Sequence, residues 1–157
     1  MKFVIMKNLW LLALILLFAL PASAQFRNTT WGMSVNQVKR IEKSKLISDY
    51  NGDLKYQVEL GDVECQLRYT FANDKLIEIL YIFTPPINSY TTTRSQSIQT
   101  LWKSTLDNLI KKYGVPVNKT GENYFLWGLE NFSIRARVDR EVKVSYIPPT
   151  PTQLDIL

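Results

Sequence analysis

The chain has 157 residues, with 19 Lys and Arg against 14 Asp and Glu, and no histidine. The missing imidazole removes the usual general base at neutral pH, every Ser-His or Cys-His nucleophile pair and most zinc sites. A lone cysteine, Cys65, rules out an internal disulfide, and the mild positive balance suits a soluble surface more than a nucleic-acid footprint.

In chain order, the first element is an export signal. Lys2 and Lys7 make a basic start, residues 9–20 are almost wholly apolar, and Pro21 precedes Ala22-Ser23-Ala24, whose small side chains suit a signal peptidase. The apolar run is too short to cross a hydrocarbon core of ~30 Å, which needs roughly 20 residues. Cleavage is therefore expected before Gln25. No cysteine follows that point to carry a lipid, so the expected location is periplasmic or extracellular, with no stable membrane anchor. Lys2 and Lys7 leave with the signal, so the remaining chain keeps a net charge of about +3, of one domain's size.

A helix is expected from Ser34. Ser34 and Gln37 have the spacing of a capping box, and Met33 and Val38 that of a hydrophobic staple. The helical pattern fades near Lys45, and residues 49–53 read as a turn. Three strands are expected next, at 55–60, 63–71 and 76–83. In the second, Val63, Cys65, Leu67, Tyr69 and Phe71 alternate with polar residues; the third is apolar on both faces, as a covered strand would be.

Pro85-Pro86 and a Ser/Thr-rich stretch read as a linker. Ile98, Leu101, Trp102, Thr105, Leu106, Leu109, Ile110 and Tyr113 then fall on a helical ladder, with Lys111 and Lys112 in the last turn and Gly114 and Pro116 ending it. Strands at 123–127, 132–138 and 141–146 follow, and Pro148, Pro149 and Pro151 close the pattern. The fold class expected is α+β: two tandem units, each a helix plus a three-stranded antiparallel meander, with the helices on one face of the sheet or sheets. The expected boundaries are 1–24 signal, 25–84 first unit, 85–97 linker, 98–147 second unit and 148–157 tail.

Trp31-Gly32-Met33-Ser34-Val35-Asn36-Gln37-Val38 resembles the W-G-M-S-x-x-x-V opening helix of certain small exported bacterial proteins of unknown function. It is also similar to the opening of the outer-membrane assembly lipoproteins of the BamE-like group. Residues 109–116, L-I-K-K-Y-G-V-P, resemble a helix end in that group and in tandem β-lactamase-inhibitor-like proteins. The resemblance implies a helical layer on an antiparallel sheet and a role in binding proteins rather than in catalysis. It carries over no functional residue.

Several constellations have two readings. Cys65 alternates with Val63 and Leu67 and is expected in the core; the alternative is a redox-sensitive thiol. The acid pairs Asp62/Glu64 and Glu122/Glu130 fall in or beside turns, which select acids for their own reasons. The alternative, a carboxylate-only hydrolase of cell-wall polysaccharide, needs two carboxyls across a cleft. Asn28, Asn118 and Asn131 begin N-x-S/T sequons. Arg135, Arg137 and Lys143 are expected on the non-core face of the second strand set and Gln66 and Arg68 on that of the first, with Tyr124 or Trp127 as aromatic anchors. This is either an ordinary solvated face or a partner-binding surface. The function expected is a non-catalytic binding module for another envelope protein, with no cofactor, metal or nucleic acid; a structural envelope component is the further alternative.

Overall fold

A computed structural model of the chain describes residues 26–61, 63–84 and 94–149. The expected signal at 1–24, Asp62, most of the expected linker and the tail beyond 149 lie outside the described residues.

Helix α1 (Val35–Ile41) begins where its capping box predicts. The Gln37 N–H donates to Ser34 Oγ at 3.3 Å, and the Ser34 N–H donates to Gln37 Oε1 at 2.8 Å. The Val35 N–H is taken by Asp74 Oδ1 at 3.0 Å, so a distant turn completes the cap. Such caps satisfy backbone donors that a helix end otherwise leaves bare. The helix stops at Ile41, earlier than expected, because residues 45–50 form a strand.

Strands β1 (Lys45–Tyr50), β2 (Asp53–Leu60), β3 (Val63–Ala72) and β4 (Lys75–Phe83) make an antiparallel meander. Its hairpins turn at Asn51-Gly52 and Asn73-Asp74, all four residues at positive φ, as two-residue turns matching strand twist require. Helix α2 (Arg94–Tyr113) starts inside the expected linker and ends at Gly114, whose N–H closes on the Ile110 carbonyl at 2.8 Å. A second meander follows: β5 (Asn118–Thr120), β6 (Tyr124–Gly128), β7 (Ser133–Val138) and β8 (Val142–Ile147).

The two meanders are not separate units. They form one eight-stranded antiparallel sheet in the order β1-β2-β3-β4-β8-β7-β6-β5, which corrects the expectation of two tandem helix-plus-three-strand units. The join is β4 against β8, in register from Ile79–Tyr146 to Phe83–Val142. The strands missing from the expectation are the two edges, β1 and β5. Leu46 and Ile47 of β1 are both exposed, a bulge lies between Leu46 and Ser48, and all of β5 is exposed, so neither has a buried parity for a sequence pattern to display.

The core lies on one face of this sheet. Tyr56 of β2, Leu67 of β3, Tyr81 of β4, Val144 of β8, Ala136 of β7 and Phe125 of β6 follow one another in cross-strand register. Val38 of α1 and Leu109 of α2 belong to the same buried cluster, so both helices cover that face. Two indole donors tie the second half together: Trp127 Nε1–H to the Gly114 carbonyl at 2.8 Å and Trp102 Nε1–H to the Glu122 carbonyl at 3.0 Å. Cys65 is buried beside Leu67 as expected, and burial raises its thiol pKa to about 11.

The ladder of α2 has one miss. Leu109 is 7% exposed, whereas Ile110 is 38% exposed and turns away from the sheet. Leu109→Ala is expected to cost about 2–5 kcal/mol in urea unfolding, as truncation in a closed site does. Ile110→Ala is expected to cost under about 0.5 kcal/mol. Equal losses would mean that the helix is rotated about its axis.

Candidate functional site

Residues two apart in a strand share a face, so the register decides which side chains meet. Six of the seven expected binding residues fall into two adjacent rows on the face without helices. One row reads Arg68 (β3), Leu80 (β4), Ser145 (β8), Arg135 (β7), Leu126 (β6). The other reads Gln66, Ile82, Lys143, Arg137, Tyr124 across the same strands. Arg68 and Arg135 are three strand spacings apart, about 14 Å. Trp127 is not on this face. It is 1% exposed and packed under α2 against Phe125, with ring centroids 6.3 Å apart. The physical reason is parity: Tyr124 and Trp127 are three residues apart in one strand and must point to opposite sides.

The charges of the rows are unevenly held. Lys143 Nζ lies 3.2 Å from Asp139 and 3.4 Å from Glu141, so its charge is answered locally. Arg68, Arg135 and Arg137 have no ion pair among the described residues. The Nε atoms of Arg68 and Arg135 are buried without a hydrogen-bond partner. Between the two arginines, Leu80 and Ile82 are only 7% and 6% exposed, although neither described helix packs on this side. Long side chains shelter apolar neighbours with their stems while holding their heads toward water, and the flanking arginines and Lys143 are placed to do so.

A further basic residue escaped the sequence pattern. Lys55 of β2 is in register with Arg68, and Arg137 is in register with Lys143. Like charges directly opposite each other oppose strand pairing by roughly 0.2–1 kcal/mol each. Acids of this face include Glu59 opposite Glu64 beyond the Gln66 row, Glu78 one row from Arg68, Asp53 two residues from Lys55 on β2, and Glu141 beside Lys143.

The main charged cluster lies on the helix face and has no signature in the sequence. Glu42, just after α1, has a side chain 2% exposed and accepts hydrogen bonds from four groups. Arg27 Nε–H donates at 3.1 Å and its Nη2 at 3.3 Å, the Tyr69 hydroxyl at 2.8 Å and the Ser44 N–H at 2.9 Å. Burial alone raises this carboxyl, but the Arg27 guanidinium and the Ser44 and Tyr69 donors outweigh it and bring its pKa from 4.5 down to about 2. Burial, and then the same carboxylate, push the Tyr69 phenol well above its ordinary value. The turn that delivers Arg27 is closed by paired backbone bonds between Phe26 and Thr29, with Arg27 and Asn28 both at positive φ.

This chemistry anchors the chain and does not suit proton transfer. A general acid needs a pKa raised toward neutrality, and Glu42 is driven the other way. Of the acids weighed in the sequence, Glu64, Glu122 and Glu130 are exposed and Asp62 lies outside the described residues. No group of three or more Asp, Glu or Cys side chains suited to a metal is formed among the described residues, and no described helix is long and apolar enough to cross a membrane. Comparisons of the chain with protein families, with curated proteins and with solved structures found no match.

The Glu42 cluster makes stability depend on pH in a definite direction. Its folded pKa lies below its unfolded one, so its contribution is complete above about 4.5 and is lost as pH falls through about 2. A displacement of that size is worth on the order of 3 kcal/mol. Glu42→Gln is therefore expected to lower unfolding free energy by about that amount at pH 7, with the gap to wild type narrowing steadily below pH 4.5. A gap that stays constant down to the acid limit would mean that Glu42 is not ionised in the fold.

Proposed function

We propose that the protein is an exported, non-catalytic binding module that docks an acidic surface of another envelope protein on its open sheet face. The signal-like segment at 1–24 supports the location, and the arginine rows support the mode of binding.

The observation that carries the reading is the unanswered charge of the central rows. Arg68, Arg135 and Arg137 make no ion pair among the described residues, although Glu78 lies one row from Arg68, while Lys55 faces Arg68 and Arg137 faces Lys143 across neighbouring strands. A fold selected for stability alone would alternate these signs. Carboxylates of a docking partner would relieve the repulsion by pairing with the guanidinium groups. Leu80 and Ile82 lie between the cations under their stems, with Leu126 and Tyr124 at the ends of their rows. An apolar centre ringed by arginine and tyrosine is the usual make-up of an interface whose energy is concentrated in a few residues.

Arg135→Glu/Arg137→Glu tests the assignment, since both are on one strand of an uncovered face. With poly-L-glutamate as the acidic probe, the wild-type protein is expected to bind with an affinity that falls steeply as salt shortens the Debye length below about 10 Å. The double reversal should lower that affinity by about tenfold or more, an effect of at least about 1.4 kcal/mol. In-cell crosslinking followed by mass spectrometry should return a partner whose contact surface is acidic, and the reversed protein should lose it. Unchanged affinity and unchanged crosslinking in a folded double variant would remove this surface from consideration.

A further inference from the structure

An α-helix is about 10 Å across and covers roughly two strands of a sheet. Helix α2 lies against β7 and β8, and α1 packs through Val38 into the core over the first meander. Among the described residues, two helices therefore leave part of the middle of the core face without helix cover. A cleft of about 480 Å³ opens there, a size suited to a small molecule.

Three kinds of wall surround it. The floor is aromatic and aliphatic: Tyr81 and Phe83 of β4 with Val144 and Tyr146 of β8. At the mouth, Leu60 and Val63 stay exposed although their strand parity points them to the core side. One side is α2, where Ser104, Asn108 and Lys112 recur at every fourth residue and form a single polar ridge about 12 Å long. A further wall is the Phe26-Arg27 turn, held by Phe26 against Tyr146 with centroids 4.7 Å apart and against Phe132 at 5.0 Å, the same two rings on which Tyr113 of α2 packs.

Among the described residues, the charges lining the cleft have one sign: Arg27 and Lys112 line it, and no Asp or Glu does. Lys112 makes no ion pair among the described residues; its Nζ rests over the Tyr113 ring, 4.9 Å from the centroid. Arg27 gives Nε and Nη2 to Glu42 and Ser44, which leaves Nη1 uncommitted among the described residues. The Tyr81 hydroxyl likewise has no hydrogen-bond partner among them, and burial raises its pKa to about 12, so it remains a neutral donor.

We infer that this cleft is a binding site for a small amphipathic organic acid, whose apolar body lies on the Tyr81, Phe83, Val144 and Tyr146 floor and whose acid group is held by Lys112 with Arg27. Apolar surface supplies the affinity, and the paired cations select an acid over an alcohol or an amine of the same shape. This site is on the opposite face of the sheet from the arginine rows and does not depend on them.

The probe is 8-anilinonaphthalene-1-sulfonate, an aromatic anion that fluoresces when it leaves water. The purified protein, with near-ultraviolet circular dichroism intact, is expected to bind it saturably, and decanoate should displace it far better than decanol or decyltrimethylammonium. Lys112→Glu should weaken binding by about tenfold or more. Asn108→Trp, a substitution at an exposed helix position, should block the cleft while leaving unfolding by urea unchanged. Arg135→Glu/Arg137→Glu should leave the probe affinity unaltered, which separates this site from the open face. Absence of saturable binding, equal displacement by all three decyl compounds, or binding untouched by both cleft variants would overturn the inference.

Discussion

The pairing of β4 with β8 is the contact on which the rest of this structure depends. Ile79 to Phe83 meet Tyr146 to Val142 residue by residue, joining residues 59 to 67 positions apart in sequence. Without that ladder each half would be a four-stranded meander with a free edge of exceptionally apolar composition, since Ile79, Leu80, Tyr81, Ile82 and Phe83 are all buried in the fold. An exposed apolar edge invites association with other chains. The join removes it and moves the free edges out to β1 and β5, which are polar, short or bulged. The same ladder places Tyr81 beside Val144 on the helix face and Ile82 beside Lys143 on the other, so both surfaces with unsatisfied chemistry are built across one seam.

The sequence displayed whatever rests on local periodicity. The Ser34–Gln37 box, the Gly114 stop and the alternation from Cys65 to Tyr69 each involve neighbours a few residues apart, and each is found where the pattern puts it. The two-sided apolar character of β4 was also visible and is matched by a central strand buried on both faces from Ile79 to Phe83. Its partner was not visible, because nothing local in β8 distinguishes pairing with β4 from pairing with another strand. The edges β1 and β5 were hidden for the opposite reason: they bury almost nothing, so burial imposed no pattern on them. The start of α2 was obscured in the same way, since Arg94 to Ser97 read as polar linker before the apolar ladder begins at Ile98.

The candidate surfaces divide along similar lines. Parity alone assigned Gln66, Arg68, Tyr124, Arg135, Arg137 and Lys143 to a single face, and the register draws them into two rows. Parity applied more strictly would also have excluded Trp127. What parity could not reveal is which cation is answered: Lys143 finds Asp139 and Glu141 through the turn before β8, whereas the arginines find no acid among the described residues. Arg27, Glu42 and Tyr69 were out of reach for sequence reasoning altogether. Their separations of 15 and 27 residues are set by the tertiary fold and carry no spacing signature.

The ionisable groups of the core have one property in common, and it bears on the kind of function this fold can perform. Glu42 is lowered to about 2, while Cys65 is raised to about 11 and Tyr81 to about 12. Each is thereby fixed in one protonation state throughout the neutral range, the carboxylate charged and the thiol and phenol neutral. Acid–base catalysis asks for the reverse, a group poised to gain or lose a proton near the working pH. The sequence has no histidine to supply such a group, and the cations of both sheet faces, guanidinium and ammonium groups, stay charged across the same range and can hold an anion there.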